Sequence, residues 1–263
     1  MVTVISSPTN PQIKAFRRMM HEGEIDLQRR IPVEGIRLIR EAAESGLEIE
    51  ILYVSESRIK DKVIQALVAS HEHKSCVLVK DPVFKSMIET ESPQGVAALV
   101  TLHCFSWEEI SSMSPLVLVA WQVQDPGNLG TLIRSAGAFG AGAVLLARNT
   151  VSPYNQKVVR ASAGSIFRVP CFQWDDSSRL IQDLRRRGFR LVTTSSHNGA
   201  DFRQVDYKGP NALFIGNEGG GLPHHLVQKA DIHVRIPQAR IESLNAAVAA
   251  SIILAESWHQ RGL

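Results

Sequence analysis

Residues 115–263 alternate short apolar runs with segments of helical periodicity, and this rhythm limits the possible folds more than any other feature of the chain. Leu116–Val123, Ala143–Ala147, Phe167–Phe172, Phe189–Thr194, Ala212–Ile215 and Ile232–Ile236 read as strands. Most are too continuously apolar to keep one face in water. Helical patterns lie between most of them, and a long one follows at Leu244–His259. Apolar strands joined by helical crossovers predict an α/β fold, a mostly parallel sheet with helices on both faces. Sheets of this kind bind ligands beyond the carboxyl ends of their strands.

The first hundred residues carry a looser version of the same alternation. Ile13, Phe16, Met19 and Met20 at helical spacing predict a helix over residues 10–29. An extended piece at Ile31–Val33 leads to a helix over 34–45 that stops at Gly46. Strands at Ile49–Val54, Cys76–Val79 and Val96–Leu102 then alternate with helices at Ile59–Ser70 and Val83–Glu89. The expected organisation is a small α/β domain over 1–102, an irregular linker over 103–114 (HCFSWEEISSMS) and a larger domain over 115–263.

Composition excludes several classes. With 44% hydrophobic and 21% charged residues the chain is globular, and no apolar run nears the ~20 residues that span a bilayer. The opening MVTVISSPTNPQIK lacks the charged and apolar regions of a secretory signal. Cys76, Cys104 and Cys171 are odd in number and lack CxxC spacing, which argues against a disulfide framework or a zinc site and for a cytoplasmic location. His71/His73 and His224/His225 lack convincing ligand partners and read as surface residues, so no metal is expected. Charge is uneven: residues 1–112 carry a net −3 and residues 113–263 a net +6. The first 40 residues are again basic, Arg17 and Arg37 among them. Two basic zones around an acidic stretch suit a polyanion touched in two places, although a solvated surface accounts for a balance this modest equally well.

Three segments, each following an expected strand, carry the chemistry. In LFIGNEGGGLP (213–223) a strand runs into a turn built from Gly216, Asn217, Glu218, Gly219, Gly220 and Gly221. Glycine turns usually cradle phosphate on backbone N–H groups. Glu218 opposes that, since two like charges about 4 Å apart repel by roughly 4 kcal/mol at an effective dielectric near 20. The turn suits a cation, a hydroxyl or an amine; a plain bend with a solvated glutamate fits the local residues as well. In QDPGNLGTLIRSAGAFGA (124–141), Asn128 can cap a helix whose buried stripe is Leu129, Leu132, Ile133, Ala136 and Phe139, with Arg134 opposite. In VRIPQARIESLNAAVAASIILAE (234–256), Ser243 or Asn245 can cap a helix that is apolar almost all round. Capping explains Ser243 by itself, but not a polar ESLN set against so apolar a helix.

Together these segments resemble the three motifs of the SPOUT superfamily, in its SpoU–TrmH branch of RNA ribose 2′-O-methyltransferases. Asn128, Gly130 and Arg134 match the first motif. Gly216, Asn217, Glu218, Gly221 and Leu222 match the second. Ile236, Pro237, Glu242, Ser243, Leu244 and Asn245 match the third. SPYNQKVVRASAGSIFRVP (152–170), with Arg160, Ser162 and Gly164, is similar to the family's connecting segment. ISSPTNPQIKAFRRM and VEGIRLIREAAESG resemble an accessory domain with a ribosomal RNA-binding protein fold. One departure stands out: Gln238, Ala239, Arg240 and Ile241 replace a stretch that commonly carries Met and then a glycine, and is one residue longer.

The resemblance implies a trefoil-knotted fold, S-adenosyl-L-methionine as cofactor and transfer of its methyl group to a ribose 2′-hydroxyl. It implies ribosomal RNA as the leading substrate, with transfer RNA next and a thiostrepton-type resistance role also open. It places Gly216, Asn217, Glu218, Gly219, Ile236, Pro237, Leu244 and Asn245 around the cofactor. Asn128, Arg134, Glu218, Ser243 and Asn245 become the catalytic set, and Arg17, Arg37, Arg134 and Arg160 the RNA contacts. A guanidinium with pKa above about 12 is a poor base, so Arg134 is expected to grip phosphate and stabilise a developing alkoxide. The resemblance also implies a homodimer, with the last helix and the segment around Arg160 as interface pieces. A dinucleotide-binding enzyme would need GxGxxG or GxxxxGK[ST], and neither is present. A non-catalytic RNA-binding relative should have lost Asn128, Arg134, Glu218 or Asn245, and all four are retained.

Overall fold

The structure, a computed structural model, describes residues 3–70 and 73–262, so His71 lies outside the described residues. The chain forms two units, one of Met1–Cys104 with Tyr154–Phe167 and one of Phe105–Pro153 with Arg168–Leu263. Elements are numbered along the whole chain.

The first unit holds a mixed five-stranded sheet of β1 (Thr3–Ile5), β2 (Arg30–Glu34), β3 (Glu48–Ser55), β4 (His73–Val79) and β5 (Val96–Thr101). Their spatial order is β1-β4-β3-β5-β2, with β4 parallel to β1 and β3, and β5 antiparallel to β3 and β2. Helices α1 (Pro11–Glu22), α2 (Ile36–Glu44), α3 (Lys62–Ser70) and α4 (Asp81–Met87) accompany it. Ile13, Phe16, Met19 and Met20 are buried as their spacing predicts, and the Phe16 ring meets Tyr53 edge-on at 5.2 Å. The first helix is shorter than the expected 10–29. Gly23 turns left-handed at φ 61° and ends it. The Asp26 carboxylate then folds residues 26–30 into a turn by accepting from the Gln28 and Arg30 amides.

Tyr154–Phe167, which the sequence grouped with the larger domain, packs in this first unit and carries α7 (Gln156–Ala161). Its fit is close. A Cβ on Gly23 would lie 2.8 Å from the Asn155 Cα, and one on Gly164 would lie 2.9 Å from the Glu41 Cβ. Gln156 is buried and its Nε2 donates to the Pro32 carbonyl at 3.1 Å. Pro32 sits on the edge strand β2, so the amide covers a carbonyl that would otherwise be buried without a donor.

The second unit is a seven-stranded sheet, parallel throughout. Its strands are β6 (Leu116–Ala120), β7 (Ala143–Leu146), β8 (Cys171–Gln173), β9 (Arg190–Thr194), β10 (Ala200–Asp201), β11 (Asn211–Ile215) and β12 (Ile232–Arg235). They lie in the order β10-β12-β9-β11-β6-β7-β8. Every residue of β6, β7 and β11 is buried, which is why these runs lack the alternation of a one-sided sheet. The helices are α5 (Trp107–Met113), α6 (Pro126–Ala138), α8 (Ser177–Arg186), α9 (His224–Val227) and α10 (Ala246–Gln260). Helix α5 occupies the expected irregular linker, started by a Ser106–Glu109 capping box. The strand expected at Phe167–Phe172 shrinks to three residues because a 3-10 turn takes Ser165–Phe167. Helices α6 and α10 pack together, with the Ser135 and Ser251 hydroxyls 2.7 Å apart between them.

Candidate functional site

Four neighbouring strands, β12, β9, β11 and β6, end on the same side of the sheet because all are parallel. The loops that leave β9, β11 and β12 enclose a cavity of about 530 Å³. The β11 loop is the glycine turn. A Cβ on Gly216 would fall 2.3 Å from the Gly221 carbonyl carbon, so only glycine permits the two arms of this turn to meet. Asn217 and Gly221 exchange backbone hydrogen bonds of 3.2 and 2.9 Å. The Asn217 side chain holds the turn inside and out: Oδ1 accepts from the Gly219 and Gly220 amides, and Nδ2 donates to the Gln122 carbonyl at 2.8 Å. Gln122 is itself left-handed at φ 56°, an unusual state for a residue with a Cβ, at the point where β6 turns toward α6.

The cap of α6 is Asp125, whose Oδ1 accepts from the Asn128 amide at 2.7 Å; this corrects the expectation that Asn128 caps the helix. Asn128 lies in the first turn, and its side chain is available for other partners. Asn245 rather than Ser243 caps α10, its Oδ1 accepting from the Ala247 and Val248 amides at 2.9 and 3.2 Å. That cap fixes which way the amide faces. The Asn245 Nδ2 donates to Asn128 Oδ1 at 2.9 Å, and the Asn128 Nδ2 donates to Glu218 Oε1 at 2.8 Å. Residues 117 and 90 positions apart in sequence thereby form one directional hydrogen-bonded chain. Among the described residues, Glu218 Oε2 has no partner and remains open to a donor.

Glu218, Asn245 and Ser243 line the cavity, with Gly216, Asn217, Gly219, Ile236 and Leu244. Asn128 lies next to it through Glu218, and Pro237 is exposed outside its lining. Arg134 is exposed on α6, six residues beyond Asn128 and about 9 Å further along the helix axis. Arg17, Arg37 and Arg160 belong to the first unit, where Arg37 and Arg160 are exposed and Arg17 is half-buried. Arg160 is close enough to Glu34 to oppose the burial that pushes that carboxyl above its ordinary range. The lining contains Glu218 and Glu242 but neither Lys nor Arg among the described residues. A phosphate would find no counter-charge there; a cation would find two carboxylates.

Sequence reasoning missed the loop Thr194–His197 and also Gln238, all of which line the cavity. The polar run SSHNG directly after the strand that ends at Thr194 was the available signal, since ligands gather at carboxyl ends of parallel strands. The shortened third segment needs no glycine, for no residue between 222 and 261 takes a positive φ. Among the described residues no group of three His, Cys, Asp or Glu is placed to hold a metal ion, and no helix is long and apolar enough to cross a membrane.

A two-sided parallel sheet with a ligand cleft at its strand ends is the frame of an α/β enzyme, and the chain belongs to the SpoU rRNA Methylase family, which it matches over residues 115–255. Residues 10–98 match the MRM3-like substrate binding domain. The chain is 34% identical over 260 residues to the 23S rRNA (guanosine(2553)-2′-O)-methyltransferase RlmP of Bacillus subtilis, covering 98% of this chain and 99% of that one. Its fold is similar to the SpoU methyltransferase AviRb of Streptomyces viridochromogenes, solved in complex with AdoMet, at TM-score 0.82 and 28% identity over 96% of this chain and 98% of the other. A crystal structure of an RNA 2′-O ribose methyltransferase is likewise similar, at TM-score 0.77 and 33% identity over 99% of this chain and 100% of the other.

Proposed function

We propose that this chain transfers the methyl group of S-adenosylmethionine to a ribose 2′-hydroxyl of 23S ribosomal RNA. The observation that carries the reading is the chain Asn245–Asn128–Glu218 at the edge of a cleft lined by carboxylates and no Lys or Arg. The residues suit the cofactor. Ile236 and Leu244, backed by the buried Ile215, Val234 and Ile253, offer apolar surface for a heterocycle, while Glu218 and Glu242 face a cationic group. When bound, the cofactor supplies an electrophilic methyl group on a positively charged sulfur. Glu218 Oε2 accepts the hydrogen bond of the ribose hydroxyl and aims its oxygen, so the rate comes largely from alignment. Asn128 holds Glu218 in place. Arg134, exposed and without a partner among the described residues, grips an RNA phosphate and offsets negative charge on the attacking oxygen.

The accessory unit recruits RNA through Arg17, Arg37 and Arg160. Arg37 and Arg40 share a 390 Å³ pocket on α2 with Glu41 and Glu44, so the phosphate contact falls to the exposed guanidinium groups rather than to the pocket itself. The relative with 23S rRNA in its name spans nearly the whole chain. The tRNA modifying enzyme of A. aeolicus aligns over only 56% of it. That difference in coverage favours a ribosomal substrate. The same reading includes a cytoplasmic homodimer, with α10 and the segment around Arg160 as interface pieces, and a trefoil knot that takes in α10. The substrate domain, expected over 1–102, includes Tyr154–Phe167 and with it Arg160, and the methyltransferase domain takes Phe105–Pro153 and Arg168–Leu263.

Incubation of the purified protein with methyl-labelled S-adenosylmethionine and unmodified 23S rRNA or bulk tRNA tests the proposal. Label at one 2′-O position of 23S rRNA is expected. Label confined to tRNA would replace the substrate, and label in neither would overturn the function.

A further inference from the structure

Gln238 has a buried side-chain oxygen, Oε1, that no donor reaches among the described residues. Buried acceptors are nearly always paired, and Gln238 belongs to the cavity wall, so its unpaired oxygen points to a donor on whatever fills that cavity. Its place along the cleft says which donor. The reacting end lies at the β11 and β6 side, where Glu218 and Asn128 meet. Gln238 follows β12, and the strand order β12-β9-β11-β6 puts it at the other end. From β12 to β11 is two strand spacings, about 10 Å, comparable with the reach from a sulfonium across a nucleoside to its base. The carboxylates Glu218 and Glu242 are matched to cationic groups, whereas a neutral amide oxygen suits a neutral N–H.

We propose that Gln238 Oε1 accepts a hydrogen bond from the exocyclic amino group of the cofactor's adenine and makes this pocket selective for an amino-bearing base. The inference rests on the cofactor reading above. In this chain the residue stands where the family resemblance leads one to expect an apolar methionine, so a side-chain acceptor takes the place of an apolar group. Glutamine presents the oxygen at the end of three rotatable bonds, and half-burial of the residue limits how far it can turn away.

Calorimetric titration of the full-length protein with S-adenosylhomocysteine and with its 6-deamino analogue, purine in place of adenine, provides the test. The wild-type protein is expected to bind the adenine form about tenfold more tightly, the worth of one buried hydrogen bond. In Gln238→Met the adenine form should weaken to the level of the analogue, and the gap should close to within about twofold. Gln238→Glu restores an acceptor and should reopen it. A tenfold gap that survives in Gln238→Met would overturn the assignment, as would a wild-type protein that does not distinguish the two ligands. A wild-type protein that binds neither would bring down the cofactor reading itself.

Discussion

Asn245 uses the two atoms of one amide for two separate tasks. Its oxygen caps α10, and its nitrogen orients Asn128 and through it Glu218. The tasks can be separated by Asn245→Asp. Aspartate caps helices as well as asparagine does, so the melting temperature should shift by no more than a few degrees. The donor is lost, however, and an oxygen now faces Asn128 Oδ1. Asn128 must flip its amide to answer it and then turns its own oxygen toward Glu218. Methyl transfer should fall by about tenfold or more, the cost of misplacing one site hydrogen bond. Asn245→Ala should lose both functions, with an added stability cost of about 1 kcal/mol. Equal activity in Asn245→Asp and wild type, measured at saturating cofactor, would show that the amide chain has no part in the reaction. The sequence placed Asn128 at a helix start but gave it the capping role. Pro126 marks Asp125 as the cap, because proline favours the first position inside a helix.

At the scale of elements, α10 shows why an apolar helix can still leave surface exposed. Ala247, Ala250, Ile253 and Leu254 are buried, yet Val248 and Trp258 stay 47% and 40% exposed. Exposed apolar side chains beside α6 give the proposed dimer its contact surface. Val248→Glu puts a charge there, and sedimentation velocity should then show a slower species than wild type, with activity falling in parallel. An unchanged sedimentation coefficient at micromolar protein would remove α10 from the interface. The central strands β6, β7 and β11 were legible because they are buried on both faces and read as unbroken apolar runs, whereas the two-residue edge strand β10, half-buried at best, left no such signal. The Ser106–Glu109 capping box was equally legible and shows that polar composition alone is a poor guide to a loop. The order of strands was not legible, since nothing local in β9 or β12 says that they are neighbours. For that reason Thr194–His197 escaped notice and Gln238 was noted only as a departure from the family pattern: their link to the cleft exists only once β9 and β12 flank β11.

For the whole molecule, the informative segment is Tyr154–Phe167. Val158 and Val159 are fully buried, as a core of either unit would require, so the sequence could not say which core they join. Gln156 makes the assignment testable. Gln156→Ala removes the donor to the Pro32 carbonyl and leaves that acceptor unpaired, a loss of about 1–3 kcal/mol. Hydrogen exchange should quicken in β2 and α7, while β6 and β11 keep their protection. Faster exchange spread evenly over both units, or none in β2, would contradict the placement.

The path of the chain through that segment also bears on how such proteins can be recombined. The backbone passes between units at 104/105, 153/154 and 167/168, so the accessory unit is not a bead on a single string. A chimera that borrows residues 1–104 from a relative but keeps its own 154–167 would confront a foreign Pro32, Gly23 and Glu41 with an insert shaped for other neighbours. The two stretches form a single unit of exchange: a new RNA specificity grafted at the amino terminus has to bring its distant fourteen-residue companion with it.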